Sequence, residues 1–129
     1  FVDEGGINLP WNRTYPHTTW AEQPETIREV GSIYTIQGFD LNYVGVVLGP
    51  SIQYDETTQQ LKLDPTLYKD TGAFVSRQDL SRSENERAKE EIILNSLNVL
   101  LKRGVKGLYL YATNPQLRVR LLQLKETQL

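Results

Sequence analysis

The chain has 129 residues, of which 39% are hydrophobic and 23% are charged, and its formal net charge is -2. This size and composition are typical of one ordinary globular domain. The net charge is not positive, as would be expected of a nucleic-acid-binding module that acts alone. The sequence contains no cysteine, which excludes disulfides, a thiolate metal site and a cysteine nucleophile.

The sequence also indicates whether the chain is complete and where the protein is located. The chain begins with Phe1 and contains no methionine, from which we expect a piece of a longer protein. It shows no signal peptide and no apolar run long enough to span a bilayer, so we expect a cytoplasmic protein without membrane partners.

The single histidine, His17, lies in a polar stretch and is interpreted as a solvated loop residue, not as a metal ligand or catalytic base.

The first part of the chain predicts an irregular lead-in followed by two strands. Residues 1–26 are rich in Pro, Gly, Trp and Thr without a clean period. Trp11 and Trp20 are interpreted as anchors that fold back onto the domain, in preference to a stacking platform for bases. Residues 27–32 predict a short strand. The continuous apolar run at 43–48 predicts a strand that is buried on both faces of a parallel sheet.

The middle of the chain predicts an insertion, residues 51–83, within a domain that spans 27–129. Apolar residues alternate on either side of the polar stretch 55–60, which is typical of a β-hairpin. The polar stretch 64–82 predicts a mobile loop.

A long helix is predicted for residues 84–102. Its start carries an S-x-x-E capping box from Ser83 to Glu86, and its acidic start and basic end suit the helix dipole. Gly104 is expected at the C′ position that ends the helix. One wide apolar stripe faces the core and comprises Ala88, Ile92, Ile93, Leu97, Leu100 and Leu101.

The last part of the chain predicts a strand at 107–112 and a final helix. Asn114 and Pro115 supply the N-cap and the first helical residue, and the helix is expected to extend to about residue 124. Its predicted buried side holds Leu117, Leu121, Leu122 and Leu124. Strands that alternate with amphipathic helices predict an α/β fold in which a parallel sheet is flanked by helices.

Taken residue by residue, the sequence shows no complete active site. It contains no G-x-x-x-x-G-K-[ST] phosphate loop, no G-x-G-x-x-G and no metal-ligand cluster. Two segments are unusual. Residues 32–40 pack polar side chains around Gly38, either as a plain strand connection or as a ligand site at the carboxyl ends of strands. At 102–104, Arg103 either offsets the dipole at a helix end or is aimed at a phosphate.

These two segments resemble motifs of superfamily 1 helicases. The string SIYTIQGFD, followed by the strand YVGVVLG, looks like motif V, and NVLLKRGVKGLYLY looks like motif VI. The longer strings EVGSIYTIQGFDLNYVGVVLGP and LLKRGVKGLYLYATNPQLR, with PWN and TW upstream, are similar to the C-terminal part of a bacterial family of P-loop ATPases related to the Schlafen helicase-like domain. The resemblance covers most of the chain and is least diagnostic at 51–83.

The resemblance implies a RecA-like second helicase lobe that borders a nucleotide. Arg103 matches the motif VI arginine that contacts the γ-phosphate of ATP, and it is the catalytic candidate. Gln37, Gly38 and Asp40 match the motif V segment beside the nucleotide. Lys102 stands where relatives usually carry Thr.

The resemblance also implies contact with nucleic acid. Ser32 matches the motif V residue that contacts the nucleic-acid backbone, and Tyr34 and Thr35 belong to the same stretch. Tyr34 stands where many relatives carry His. We therefore expect single-stranded DNA or RNA as a partner.

ATP and Mg²⁺ would bind to the longer protein, because the resemblance places the Walker motifs in an absent N-terminal RecA-like lobe. The chain alone is expected to neither bind ATP tightly nor hydrolyse it. Two alternatives stay open: a switch-like NTPase that acts on protein partners without translocation, and a stand-alone interaction module.

Overall fold

A computed structural model describes residues 2–127, with side chains from residue 5 onward, as a mixed α/β structure. Among these residues, no helix is both long and apolar enough to cross a membrane. The strands are β1 (Val2–Glu4), β2 (Ile7–Leu9), β3 (Leu41–Leu48), β4 (Ile52–Asp55), β5 (Gln60–Leu63) and β6 (Gly104–Ala112), and the α-helices are α1 (Ile33–Ile36), α2 (Arg82–Leu101) and α3 (Pro115–Thr127).

The strands form three separate two-stranded pairs, β1–β2, β3–β6 and β4–β5. The first and last pairs are antiparallel hairpins. β3 and β6 run parallel, because the N–H of Leu41 donates to the carbonyl of Arg103 at 2.8 Å, while the N–H of Thr113 donates to the carbonyl of Leu48 at 2.9 Å. The predicted parallel pairing of these two strands is confirmed, and both are longer than predicted.

The chain divides into two compact units. The first takes in the chain up to Val46 together with Asn98–Tyr109, and the second takes in Val47–Leu97 together with the chain from Leu110 onward. The paired strands β3 and β6 each contribute residues to both units.

The strand predicted for residues 27–32 is wrong. Pro24–Arg28 form a 3₁₀-helix, and Val30 makes only an isolated β-bridge. Local hydrogen bonding favours the turn, since Oγ1 of Thr26 donates to the carbonyl three residues earlier at 2.7 Å, and the proline at the first helical position presets the backbone angle. Ile27, which suggested an apolar strand face, is 86% exposed.

β3 is buried on one face, not on both as predicted. Val44, Val46 and Leu48 are each no more than 8% exposed, whereas Tyr43 is 60% exposed and Gly45 is also exposed. This alternation is typical of a strand with one face on a core and the other open. Among residues 2–127, β6 is the only strand that pairs with it.

α2 confirms the long predicted helix but begins two residues earlier. The capping box is Ser81 to Glu84, because the N–H of Ser81 donates to the Glu84 carboxylate at 2.8 Å and the N–H of Glu84 donates to the Ser81 hydroxyl at 3.3 Å. The predicted box from Ser83 to Glu86 is wrong, since Glu86 pairs with a lysine one turn further on. Two S-x-x-E patterns overlap here, and only the first coincides with the helix boundary. Of the predicted stripe, Ile93 is the most buried, at 1% exposed.

In the second unit, Asn114 caps α3 and also contacts the β4–β5 hairpin. Its Oδ1 accepts from the N–H of Leu117 at 2.8 Å and from the N–H of Tyr54 at 3.4 Å. The predicted N-cap is confirmed. The predicted buried side is correct for Leu117, which is 3% exposed, and wrong for Leu122 and Leu124, which are 58% and 45% exposed. Leu122 lies about 140° around the helix from Leu117.

The lead-in and the insertion hold more local structure than predicted. The lead-in contains the β1–β2 hairpin and the 3₁₀ turn Trp20–Glu22. In the insertion the predicted hairpin is confirmed as β4–β5, and the polar stretch after it contains the 3₁₀ turns Pro65–Leu67 and Thr71–Ala73. The Asp64 carboxylate caps the first of these turns by accepting from the N–H of Thr66 at 3.0 Å.

Candidate functional site

The segment predicted as a site, residues 32–40, lies in the first unit and consists of the short helix α1 and the turn after it. The hydroxyl of Thr35 donates to the carbonyl of Ser32 at 2.8 Å. Beyond the helix, Gly38 has a φ of 87°, in the left-handed region that favours glycine. A β-carbon there would meet nothing within 4 Å, so the backbone angle alone requires glycine. The turn places Asp40 immediately before β3.

The structure brings the second predicted segment to the same place. Because Leu41 donates its N–H to the carbonyl of Arg103 at 2.8 Å, Asp40 and Arg103 precede the adjacent starts of β3 and β6. The N–H of Arg103 donates to the carbonyl of Leu100 at 3.3 Å, which holds its backbone from the helix side. Its Nε donates to the carbonyl of Val99 at 3.2 Å, and the other guanidinium nitrogens have no partner among the described residues.

These residues lie at the amino ends of β3 and β6. One of the two interpretations of residues 32–40, a ligand site at the carboxyl ends of strands, is wrong, because the strand predicted at 27–32 is absent and Pro24–Arg28 form a 3₁₀-helix there. The rule that ligands bind at the carboxyl ends of strands therefore does not apply to residues 32–40. A ligand site there is supported instead by the closeness of this segment to Arg103.

Access to solvent differs among the predicted site residues. Arg103 and Thr35 are half-buried, and Ser32 is only 6% exposed. Contact of Ser32 with a nucleic acid stays a prediction, and it would require neighbouring residues to move. The exposed members of the set are Tyr34, Gln37, Gly38 and Asp40.

A buried carboxylate that was not predicted lies just before this segment. The side chain of Glu29 is 3% exposed and lies 3.8 Å from the guanidinium of Arg13. It accepts hydrogen bonds from the Tyr15 hydroxyl and from Nε1 of Trp20, the latter at 3.0 Å. The Trp20 ring packs on Gly31, where a β-carbon would lie 2.8 Å from it. Trp20 is thus an anchor, as predicted, and nothing in the local sequence distinguishes Glu29 from its acidic neighbours.

The partners of Glu29 determine its pKa. Burial alone would raise the pKa of Glu29, but the hydrogen bonds from Tyr15 and Trp20, together with the charge of Arg13, hold the pKa below its ordinary value of 4.5. The same hydrogen bond to Glu29 is the main cause of a raised pKa for Tyr15. The carboxylate therefore stabilises the folded state while it is ionised.

We expect Glu29→Gln to lower stability at neutral pH and to flatten the acid side of the stability profile. Because the folded pKa lies below the ordinary value of 4.5, the stabilisation is complete above that value and is lost as the pH falls through the folded pKa. Urea unfolding from about pH 7 to about pH 3 measures it. Glu91→Gln, at an exposed carboxylate that has no partner among the described residues, should keep the wild-type slope. An unchanged slope in Glu29→Gln would contradict the prediction.

Comparison with known proteins identifies the family that shares these segments. Residues 1–114 match the sequence profile of the Schlafen group 3, DNA/RNA helicase domain. The chain belongs to this family. The match takes in both α1 with its following turn and the helix end that carries Arg103.

One relative is a much longer protein in which the matching region is only a part. The chain is 53% identical over 119 residues to uncharacterized protein YPL245W of Saccharomyces cerevisiae, a match that covers 91% of this chain and 26% of that protein. The chain therefore spans about a quarter of the length of this relative. The relative comes from yeast and gives no support to the bacterial branch of the resemblance. No solved structure matches the chain.

Membership in the Schlafen group 3 helicase domain family confirms the Schlafen-related, helicase-like part of the resemblance. It assigns no role to any single residue, so the roles of Arg103, Gln37 and Asp40 stay predictions. Across residues 2–127, no group of three or more His, Asp or Glu side chains could hold a metal ion.

Proposed function

We propose that this chain is the RecA-like second lobe of an ATP-dependent DNA/RNA helicase or translocase-type ATPase. ATP binds in the cleft against an N-terminal RecA-like lobe of the same protein, which supplies the Walker lysine and acids. This chain supplies Arg103 and the motif V segment, residues 32–40. Closure of the cleft during hydrolysis moves a single strand across both lobes.

The observation that carries this proposal is the hydrogen bond from Leu41 to Arg103. Two segments far apart in the sequence, each similar to a helicase motif, thereby meet at the adjacent starts of two parallel strands. Their juxtaposition supports one composite site, because an arginine and a polar turn can then contact the same nucleotide.

The residues at this place suit a nucleotide better than a metal ion alone. Asp40 is exposed and can accept a hydrogen bond from a sugar hydroxyl, and Gln37 can both donate and accept. Mg²⁺ requires several oxygen ligands, and Asp40 is the only carboxylate in the segment. When bound, Mg²⁺ neutralises phosphate charge, and we assign its protein ligands to the other lobe, while Arg103 contacts the γ-phosphate from this one.

The nucleic acid is proposed to pass along α1. Tyr34 is 56% exposed there and offers a ring on which a base can stack. Thr35 and Ser32 lie on the less exposed side of the same helix start, so they would contact the sugar-phosphate backbone only after a local shift.

A second candidate function is a switch-like NTPase that acts on protein partners without translocation. The net charge of -2 and the burial of Ser32 favour it, since a nucleic-acid motor needs accessible contacts to a polyanion. Both candidates require ATP hydrolysis, and they differ in what stimulates it.

The distinguishing experiment measures ATP hydrolysis by the longer protein with and without single-stranded DNA or RNA. We expect stimulation by a single strand, because its binding across both lobes favours the closed cleft. Hydrolysis without any response to either nucleic acid would support the switch. The purified chain alone should show no turnover, because a phosphate loop normally makes most phosphate contacts; turnover by the chain alone would contradict the proposal.

A further inference from the structure

Asn12, in the lead-in of the first unit, holds the chain where it enters the motif V segment, residues 32–40. The backbone N–H of Asn12 donates to the carbonyl of Val30 at 2.8 Å, and the N–H of Val30 donates to the carbonyl of Pro10 at 2.9 Å. The side chain adds a third bond, because Oδ1 of Asn12 accepts from the N–H of Ser32 at 3.3 Å. Asn12 therefore holds the chain at two positions close to the start of α1.

The bond from Ser32 to Asn12 replaces a capping interaction that α1 lacks. Ser32 is the N-cap of α1, and its own side chain makes no capping hydrogen bond. In a capping box, the side chain three residues after the N-cap accepts from the N-cap N–H. In α1 that residue is Thr35, whose hydroxyl instead donates to the carbonyl of Ser32 at 2.8 Å. The N–H of Ser32 is thus bonded by a residue 20 positions earlier in the chain.

The position of α1 depends on such contacts, because a helix of four residues is not stable by itself. Asn12 has a φ of 44°, a left-handed conformation that asparagine tolerates better than most residues and that persists only where surrounding contacts hold it. Trp20 supports the same stretch, since its ring lies 2.8 Å from the position of a β-carbon on Gly31, and the Thr35 hydroxyl lies 3.1 Å from that position. The lead-in therefore determines where α1 begins.

We propose that Asn12 is a positioning residue for the motif V segment, which it holds in place through the start of α1. This inference rests on the proposed function, in which the turn that carries Gln37 and Asp40 borders the nucleotide. The N–H of Gln37 donates to the carbonyl of Ile33 at 2.9 Å, so a shift at Ser32 reaches Gln37 through a single helical turn. A displacement of about 1 Å at a site can reduce the rate roughly 100-fold.

The first measurement is amide hydrogen exchange in the chain, resolved by residue with NMR. Asn12→Gly removes the side-chain acceptor, keeps the backbone N–H and suits a positive φ. We expect exchange at the amides of Gln37 and Phe39 to rise roughly 2- to 13-fold, the effect of losing one hydrogen bond. The amide of Leu41, which donates to Arg103, should keep its wild-type rate. Unchanged exchange at Gln37 and Phe39 would overturn the inference.

Two variants separate the contact from a general effect on the lead-in. Asn12→Asp keeps an oxygen at the same position and tolerates a positive φ, so α1 should exchange as in the wild type. His17→Gly is the matched control, because His17 also has a positive φ, 69°, and is exposed, and its side chain has no partner among residues 2–127. If His17→Gly accelerates exchange at Gln37 as much as Asn12→Gly does, the specific role of Asn12 is overturned.

The second measurement is ATP turnover by the longer protein. We expect Asn12→Gly to lower kcat roughly 10- to 100-fold, Asn12→Asp to restore it, and His17→Gly to leave it unchanged. If Asn12 acts through Gln37, the double variant Asn12→Gly/Gln37→Ala should be no slower than the slower single variant, because the two effects are then not additive. Additive losses would overturn the positioning role, since Asn12 would then act independently of Gln37.

The two measurements distinguish failure of this inference from failure of the proposed function. Wild-type turnover in Asn12→Gly, together with loss of turnover in Arg103→Ala, would overturn the positioning role and leave the proposed function intact. Absence of ATP turnover in the wild-type longer protein would overturn the proposed function, while exchange in the chain alone would still decide whether Asn12 positions α1.

Discussion

Replacement of Arg103 by alanine in the longer protein should reduce ATP turnover by a factor on the order of 10³–10⁵ while changing nucleotide affinity little. The backbone of Arg103 is held by the carbonyl of Leu100 on one side and the N–H of Leu41 on the other. Its Nε donates to the carbonyl of Val99, so the two terminal nitrogens of the guanidinium can donate to a phosphate. In the proposed mechanism those contacts form as the cleft closes, so their loss should affect kcat more than KM.

Arg103→Lys should not restore turnover, since a point charge cannot reproduce the planar fork of a guanidinium. Arg87→Ala is the matched control and should hydrolyse ATP at the wild-type rate, because Arg87 is exposed on α2 and has no partner in the part of the chain that the structure describes. If Arg103→Ala retains near-normal turnover with an intact fold, the residue is a helix-end cation, whose loss costs about 0.3–1 kcal/mol of stability. That outcome would remove the main residue-level support for the motor.

Replacement of Gly104 by alanine should destabilise the chain by about 3 kcal/mol, at the upper end of over-packing costs. A β-carbon at Gly104 would lie 2.3 Å from the carbonyl oxygen of Gly107 and 2.9 Å from Cγ1 of Val44. The first contact is with backbone and the second is with a buried side chain, so neither can move without disturbing β6 or β3. Urea unfolding followed by circular dichroism measures the loss as a lower midpoint.

Gly45→Ala is the control for this prediction, because it adds the same methyl group to the neighbouring strand. A β-carbon there meets nothing within 4 Å, and its φ is not positive. We expect no loss of stability and a gain of up to about 1 kcal/mol, since alanine restricts the unfolded chain. Equal effects of the two substitutions would show that the close approach at Gly104 does not constrain the strand.

The sequence correctly singled out Gly104 as a residue that must be glycine, but for the wrong structural reason. A glycine after a helix favours a C′ position, which usually needs a left-handed backbone. Gly104 has no positive φ; it already begins β6 and is required by the close approach to Gly107 and Val44. The pattern identified the residue, and only the folded backbone of β6 and the packing of β3 against it revealed why it must be small.

Elements with strong local signals were predicted well. The long helix α2, the Asn-Pro start of α3 and the hairpin of the insertion each depend on residues close together in the sequence, and each is confirmed. The error at 27–32 arose where the apolar pattern was weak and a proline with a local threonine hydrogen bond favoured a turn.

The candidate site was predicted in part. Its two segments, residues 32–40 and Arg103, were singled out by their resemblance to helicase motifs, and the chain does belong to a helicase-domain family. The buried Glu29 was not predicted, because nothing in the local sequence indicates that Tyr15 and Trp20 surround this carboxylate.

Local periodicity and continuous strings of residues were enough to predict the Schlafen-related family, the long helix, the two parallel strands and the arginine that follows the helix. Three features became visible only in the folded chain: Leu41 bonds to Arg103, Ser32 is buried while Tyr34 is exposed, and Tyr43 and Tyr109 share one surface. The first and the last of these depend on which strands pair and in which register. A one-residue shift in the pairing of β3 with β6 would turn the tyrosines to the other face, and no local pattern specifies that register.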